Sequence, residues 1–435
     1  MTFRTAAIAI GLGLGACGTS YPPPKADPPA PPDANDPAFT QKGMKGWYLV
    51  GDGAIAGDDT LTMIVTAPHG ANYVDAYITG QPPVRMDAQA DGFGMQVALA
   101  NIPPGDYQIV LSANGSDTAF AAVPFHRSYA FYVLVSTDYD FSDPGMNSQA
   151  FMDSLHQDHP GLRITHFWAP YTYTDPVVTD QRRADLDTWI HMQRDTYRDE
   201  IGLHIHPYCN FVVDAGLTCV TDQSDVYPAG DATGYTIMLG AYGHDGTSIL
   251  LQHAKDLFGQ HGIAPPKTFR AGGWTATTDT LAALQDNGYI SDSSALNWQY
   301  IQSAWAGHLI ASWTMQQWAP IDDTSQPYYP SQMTISEPQP DPAYSLLEVP
   351  LNGVMIDYVT LADMKMFFDE NFAGTALMAP RTLMMGFHPS TSLTIGDIAG
   401  VKGFLTYADQ ALAANGLGPV VYITLSDVTP AFAAR

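Results

Sequence analysis

Positive charge is what this chain has least of. Of 435 residues only 18 are Lys or Arg, against 44 Asp or Glu, for a formal net charge of −26. Such a chain repels polyphosphate and anionic headgroups, which argues against nucleic acid as a partner and against a polybasic hold on a membrane. Long apolar runs are missing as well, since none reaches the roughly 18–20 residues a spanning helix needs. Cysteine is scarce, three in all, and no internal repeat is evident. What is present is 46% hydrophobic and includes 23 Tyr, 18 Phe and 8 Trp. That is too apolar for disorder and, at this length, enough for two or three units with sizeable cores.

The first 17 residues read as an export signal: Arg4, an apolar stretch from Thr5 to Ala16, and small residues before Cys17. Leu14-Gly15-Ala16-Cys17 resembles a bacterial lipobox, which implies lipid attachment at Cys17. Gly18 stands where an inner-membrane retention signal has Asp, so the outer membrane or cell surface is expected. Eight prolines between Pro22 and Pro37 make residues 18–40 an extended tether. Setting Cys17 aside leaves Cys209 and Cys219, ten residues apart. In an oxidising compartment that pair reads as one local disulfide, with metal ligation by both thiols as the alternative.

Residues 41–129 alternate short β-like runs with turns. Leu61–Thr66, Tyr73–Ile78, Phe93–Leu99, Tyr107–Ser112 and Thr118–Val123 are separated by Asp91-Gly92, Pro104-Gly105 and Asn114-Gly115, the pattern of a small immunoglobulin-like sandwich. Gly51, Gly53 and Ala56 match a dinucleotide fingerprint in spacing, but a strand follows where the fingerprint needs a helix. From Phe131 the texture changes. Apolar strands at Phe131–Val135, Glu200–Leu203, Lys267–Arg270, Leu346–Val349, Leu383–Phe387 and Val420–Thr424 alternate with helical stretches at 178–197, 248–260, 277–287, 361–368 and 400–414. Such alternation over about 300 residues predicts a parallel sheet or barrel. Two irregular segments interrupt it, 207–245 and 315–345, and long loops on such a scaffold shape sites.

Chemistry gathers where the predicted strands end. Asp138-Tyr139-Asp140 places two carboxylates on one side of an extended chain, costly unless one binds a cation and the other a proton. His204-Ile205-His206 likewise puts two imidazoles on one face, which suits a divalent metal such as zinc. Arg270, in Phe269-Arg270-Ala271-Gly272-Gly273-Trp274, can orient a carboxylate, and Trp274 can stack on a sugar face. His388, in Phe387-His388-Pro389, stands where an acid or base reaches the same mouth. Asp292 and Glu348 also end strands. His166, in the strand-like Ile164-Thr165-His166-Phe167, is the substitute should one of the pair His204 and His206 not be a ligand.

In order, Thr137-Asp138-Tyr139-Asp140, Glu200 to Pro207, Phe269 to Trp274, Gly288-Tyr289 with Asp292-Ser293-Ser294, and Phe387-His388-Pro389 resemble the polysaccharide deacetylases of the NodB type, over residues 130–430. The resemblance implies an α/β fold, a distorted (β/α)7 barrel. It implies one divalent metal, with zinc the first candidate, and removal of acetyl groups from an amino-sugar polysaccharide, with metal-bound water as nucleophile. Residue by residue, it makes Asp138 the general base, Asp140, His204 and His206 the metal ligands, Arg270 the partner of Asp138, and His388 the general acid. Trp274 and Asp292 become substrate contacts. In the family the two aspartates are adjacent and the histidines four apart; here Tyr139 intervenes and the spacing is two. The organisation expected is therefore signal 1–17, tether 18–40, β-sandwich 41–129 and barrel 130–435. Two other readings fit fewer of these residues: a carbohydrate-binding surface lipoprotein on a barrel without catalysis, and a metal-dependent amidohydrolase.

Overall fold

All eight residues of the strand Phe131–Asp138 are buried, as a parallel strand covered on both faces requires. This strand, β1, belongs to a computed structural model that describes residues 21–220, 226–227, 235–236, 238–338, 343–389 and 393–433. The expected export signal and Cys17 lie outside those residues. The chain divides into two units, one from the described residues up to 44 with 61–97 and 107–124, the other from 45–60, 98–106 and 125–433.

The second unit is mixed α/β, with a curled sheet of parallel strands. After β1 come β2 (Ile164–Trp168), β3 (Glu200–Ile205), β4 (Thr268–Ala271), β5 (Ser291–Asp292), β6 (Leu347–Glu348), β7 (Arg381–Phe387) and β8 (Val420–Tyr422). The order across the sheet is β6-β5-β4-β3-β2-β1-β7, every pair parallel. One edge of β1 pairs with β7 from Phe131↔Arg381 to Thr137↔Phe387. The other edge forks: its first half pairs with β8, from Phe131↔Val420 to Val133↔Tyr422, and its second half with β2, from Val135↔Ile164 to Asp138↔Phe167.

The two outer strands are joined by an irregular seam, residues 351–355. Leu351 bridges Leu296 and Met355 bridges Gly386, both in parallel sense. Gly353 N–H donates to Met384 O at 2.8 Å and Gly386 N–H to Val354 O at 3.0 Å. Between them the buried side chain of Asn352 acts as an extra peptide, accepting from Met384 N at 2.9 Å and donating to Thr382 O at 3.0 Å. Val354 sits at φ 60, a conformation a β-branched residue rarely adopts, held by these surrounding bonds.

Helices follow the strands: α1 (Met146–Asp158), α2 (Asp180–Met192), α3 (Gly243–Gln260), α4 (Thr278–Asp286), α5 (Leu309–Gln317), α6 (Leu361–Asn371), α7 (Ile395–Ala408) and α8 (Leu425–Phe432). Thr179 and Thr277 accept from backbone N–H groups at the starts of α2 and α4, and Thr-x-x-Asp capping boxes start α6, α7 and α8. Each such cap stabilises a helix by about 1 kcal/mol. Residues 178–197, expected as one helix, give α2 and then a π-turn, Gln193–Tyr197, that ends with Arg198 in the left-handed region.

The first unit is all-β. Gln41–Lys42, Thr60–Val65, Gly92–Ala98 and Asp87–Gln89 form one four-stranded sheet, in which Leu61, Met63 and Val65 are buried while Thr60 and Thr62 are exposed. In a second sheet Val74–Ile78 lies antiparallel to both Val84–Arg85 and Gly105–Ala113. Residues 21–40 are not a free tether. Lys25 pairs with Asp117, Ala30 bridges Thr118, and Asp36 N–H donates to Phe120 O at 2.8 Å. The prolines keep this stretch extended, and its few polar groups satisfy an adjacent strand edge.

Candidate active site

Alternation along β1 sends Ser136 and Asp138 inward and Thr137 outward, as their partners show: Ser136 and Asp138 meet Arg270, and Thr137 meets His166. Arg270 on β4 is fully buried. Its Nη1 donates to Asp138 Oδ1 at 2.6 Å and to Ser136 Oγ at 2.9 Å, Nη2 donates to Ser293 Oγ at 2.8 Å, and Nε to Ser293 O at 2.9 Å. The ring of Phe167 lies 4.3 Å from the guanidinium carbon. A buried ion pair is tolerable only when the remaining donors are satisfied, and here they are.

Two residues further, Asp140 turns back to the same side. Its Oδ1 lies 3.2 Å from His204 Nε2 and 3.2 Å from His206 Nε2. His204 is the register partner of Arg270, and its Nδ1 donates to the Arg270 carbonyl at 2.9 Å. That bond fixes the tautomer and leaves the Nε2 lone pair facing Asp140. Burial lowers the pKa of His206 in spite of Asp140, which favours the neutral, ligating form. Burial raises Asp140, but His388, His206 and His204 outweigh it and hold the carboxyl well below its usual range. Among the described residues, Asp140, His204 and His206 are the group whose donor atoms all lie within 4.8 Å of one another. One carboxylate oxygen and two imidazole nitrogens at the base of a cavity fit a divalent cation of the zinc, cobalt or nickel kind.

His388, just beyond β7, faces this group, its Nε2 3.7 Å from Asp140 Oδ2. On its far side Nδ1 pairs with Asp357 Oδ2 at 2.5 Å. Burial pushes His388 down, yet Asp140 and then Asp357 raise it to about 10. Tyr208 holds the loop after β1, donating to Asp140 O at 2.7 Å while its ring stacks at 4.0 Å on Tyr171. The helix Cys209–Asp214 follows directly and is tied by the Cys209–Cys219 disulfide, Cα to Cα 5.1 Å.

Asp138, Asp140, His204, His206 and His388 thus share one cavity of about 310 Å³, walled by Trp274, Trp305 and Tyr358. A larger hollow of about 1000 Å³ opens where β6 and β7 begin, and among the described residues no carboxylate or imidazole lines it. Two sequence candidates stand elsewhere. Asp292 is fully buried and does not line the cavity; its Oδ1 accepts from Ser294 Oγ at 2.9 Å, and Glu348 lies beside it. His166 points outward from β2, its Nε2 3.0 Å from Asp199 and its Nδ1 2.9 Å from Thr137 Oγ1 and 3.0 Å from Tyr139 OH, so it ligates nothing in the cavity. Sequence reasoning missed Asp357, Tyr208, Trp305 and Tyr358. Tyr208 had a signal, two residues past His206; the others sit in irregular backbone with no periodicity to mark them.

No protein-family model and no curated protein matches the chain. Solved structures of similar outline include a protein described as a polysaccharide deacetylase from Mycobacterium smegmatis, 13% identical over 70% of this chain and 91% of that one, with a TM-score of 0.41. A family 4 carbohydrate esterase from Streptomyces lividans in complex with acetate is 11% identical over 70% and 95%, with a TM-score of 0.33. A 4-alpha-glucanotransferase from Thermococcus litoralis is 7% identical over 68% and 40%, with a TM-score of 0.38. At these scores the likenesses carry no argument about chemistry, which rests on the site itself.

Proposed function

We propose that this chain is a metal-dependent hydrolase of the NodB type that removes acetyl groups from an amino-sugar polysaccharide of the cell envelope or its surroundings. One observation carries the reading. Two carboxylates at i and i+2 are held in opposite ways beside one cavity, Asp138 by a buried arginine and Asp140 by two imidazoles. That division separates a proton acceptor from a cation ligand. Asp140, His204 and His206 would hold a divalent cation, and the chemistry it would supply there is Lewis acidity.

The remaining steps belong to this chain's side chains. Asp138 accepts the proton of the attacking water, with Arg270 holding the carboxylate in place. His388 delivers a proton to the departing nitrogen, and Asp357 fixes the orientation of its ring. Trp274, Trp305 and Tyr358 give the sugar apolar faces to lie against. The test is metal content together with acetate release from N-acetylated polysaccharides. Asp138→Asn should keep the metal and lose turnover; loss of metal would make Asp138 a ligand and overturn the assignment.

The same reading takes 130–435 as the catalytic module, and of the stretch 41–129 expected as a separate sandwich, 45–60 and 98–106 belong to the same compact unit as that module. It takes the chain as exported and lipid-anchored through Cys17 at the outer membrane or cell surface, supported by Leu14-Gly15-Ala16-Cys17. Cys17→Ser should then release the protein from membranes, and unchanged fractionation would rule the anchor out.

A further inference from the structure

Two side chains at i and i+2 of an extended chain leave the backbone about 6.6 Å apart and point the same way. The imidazoles of His204 and His206 do not keep that spacing. Their rings stand 4.9 Å apart at 75°, and both Nε2 atoms lie 3.2 Å from one oxygen, Asp140 Oδ1. His204 is fixed from behind by the Arg270 carbonyl, 2.9 Å from its Nδ1. What lets His206 converge on the same point is the space beside it. β3 and β4 pair in parallel through Leu203↔Phe269, His204↔Arg270 and Ile205↔Ala271. One step further, that register sets Gly272 beside His206.

The imidazole occupies the room that a side chain at 272 would take. A Cβ there would stand 2.6 Å from His206 Cγ, 2.7 Å from Cδ2 and 2.8 Å from Nδ1. Turning the ring about χ2 brings no relief, because the nearest atom, Cγ, lies on that axis. Only a swing about χ1 clears the contact, and it carries Nε2 away from Asp140 Oδ1. The backbones on either side are tied. Gly272 O accepts from Thr275 Oγ1 at 2.8 Å, and Thr275 is fully buried. His206 O accepts from Tyr208 N at 2.7 Å, and Tyr208 OH donates to Asp140 O at 2.7 Å. Nor does the local backbone call for glycine at 272. The left-handed positions of this turn are Gly273 at φ 60 and Trp274 at φ 55. The ring of His206 is the reason for it.

Resting on the reading of Asp140, His204 and His206 as metal ligands, we propose that Gly272 is a positioning residue of the metal site. Its missing side chain is what lets a histidine pair spaced by two bring both Nε2 atoms to one point. In this chain the short spacing and the glycine work as one device.

The experiment is a double-variant cycle on the full chain: wild type, Gly272→Ala, His206→Ala and the two together. Zinc affinity is read by competition with a chromophoric chelator, the ligand set by the visible absorption of the cobalt(II) form, and the metal-free chain by urea unfolding. Gly272→Ala should weaken zinc binding about 10–100-fold, as loss of a group that orients a ligand does, and move the cobalt bands toward those of His206→Ala. It should also lower the urea midpoint of the metal-free chain. Glycine to alanine stiffens the unfolded chain alike in both backgrounds, so the difference between backgrounds is the readout. In the His206→Ala background Gly272→Ala should change zinc affinity less than about threefold and should not lower the midpoint. If Gly272→Ala alone does not fold, the double variant should, and that rescue upholds the proposal. Zinc affinity of Gly272→Ala within about threefold of wild type, an equal loss in both backgrounds, or a double variant that does not fold overturns it. A wild type that binds no zinc, with the urea difference between backgrounds intact, upholds the steric role of Gly272 and overturns the metal reading instead.

Discussion

Strand β1 carries histidine–carboxylate chemistry on both of its faces. Inward lie Asp138 and Asp140 with His204, His206 and His388; outward lie Thr137 and Tyr139 with His166, Asp199 and His156. In the outer cluster Asp199 Oδ2 is 2.9 Å from His156 Nε2 and 3.0 Å from His166 Nε2, and Asp199 Oδ1 accepts from Ile164 N at 2.9 Å. The side chains of Asp199 and His166 are 0% exposed, whereas Asp140 is 25% exposed. The residue types match and the roles differ. The inner lone pairs converge on a cavity that a ligand can enter. The outer ones are spent on one another and on backbone, and Tyr139, between the two site aspartates, anchors β1 to that brace. A histidine–aspartate cluster is therefore a site only where its donors share a space that water can reach.

The strongest way to break this comparison is to empty the inner cluster. His204→Ala/His206→Ala should reduce metal from about one ion per chain to none and abolish turnover, while the chain still folds; metal analysis beside circular dichroism checks both. Asp138→Asn should cost about 10²–10⁴-fold in turnover with metal retained, read as kcat on a single substrate. The outer cluster should respond in the opposite currency. Asp199→Ala leaves two buried imidazoles without their acceptor and should cost roughly 3–5 kcal/mol of stability. Metal per folded chain should stay unchanged, so urea unfolding and metal content on the same sample decide it. Tyr139→Phe removes one hydroxyl from the brace and should cost about 1 kcal/mol with a small effect on kcat. A large loss of metal there would merge the two clusters into one functional unit.

The smallest expected effect is one of pH, and two buried carboxyl sites give it opposite signs. Burial raises Asp199, but His156 and His166 outweigh it and leave its pKa lowered. Its stabilisation is therefore complete above the ordinary aspartate range and is lost as pH falls through the folded value. Burial raises Asp292 to about 6 beside Glu348, which burial and Asp292 raise well above its usual range. The folded state holds a proton there that the unfolded chain releases. The stabilisation is complete below pH 4 or so and declines as pH rises through about 6. Glu348→Gln should flatten the decline in urea midpoint between pH 5 and pH 8, and an unchanged slope would count against the shared proton.

Much of the site was legible because period-two alternation is local. Asp138 with Asp140, and His204 with His206, could be assigned to one face from spacing alone, and Cys209 with Cys219 to one loop. The parallel α/β unit followed from alternating apolar runs. What could not be read depends on closure. Asp357 reaches His388 from an irregular turn 31 positions earlier, and Trp305 reaches Tyr358 across 53. Neither turn has a hydrophobic period. Residues 309–317 form α5 although they merge in sequence with an irregular, proline-rich stretch. Asp292 looked like a mouth residue because it ends a strand, but β5 is two residues long and the chain beyond it carries the mouth further on.

The seam at residues 351–355 has a consequence for how this protein can vary. A ladder of peptide bonds is indifferent to mutation, because every residue except proline brings the same donor and acceptor. The other joints of the sheet are ladders of that kind. At the seam two neighbouring identities matter instead. The Asn352 amide makes bonds that a ladder would otherwise make, and a side chain at position 353 would place its Cβ 2.7 Å from Met384 O. Two adjacent codons thus carry, at this seam, a share of the pairing that a regular strand pair leaves to the backbone.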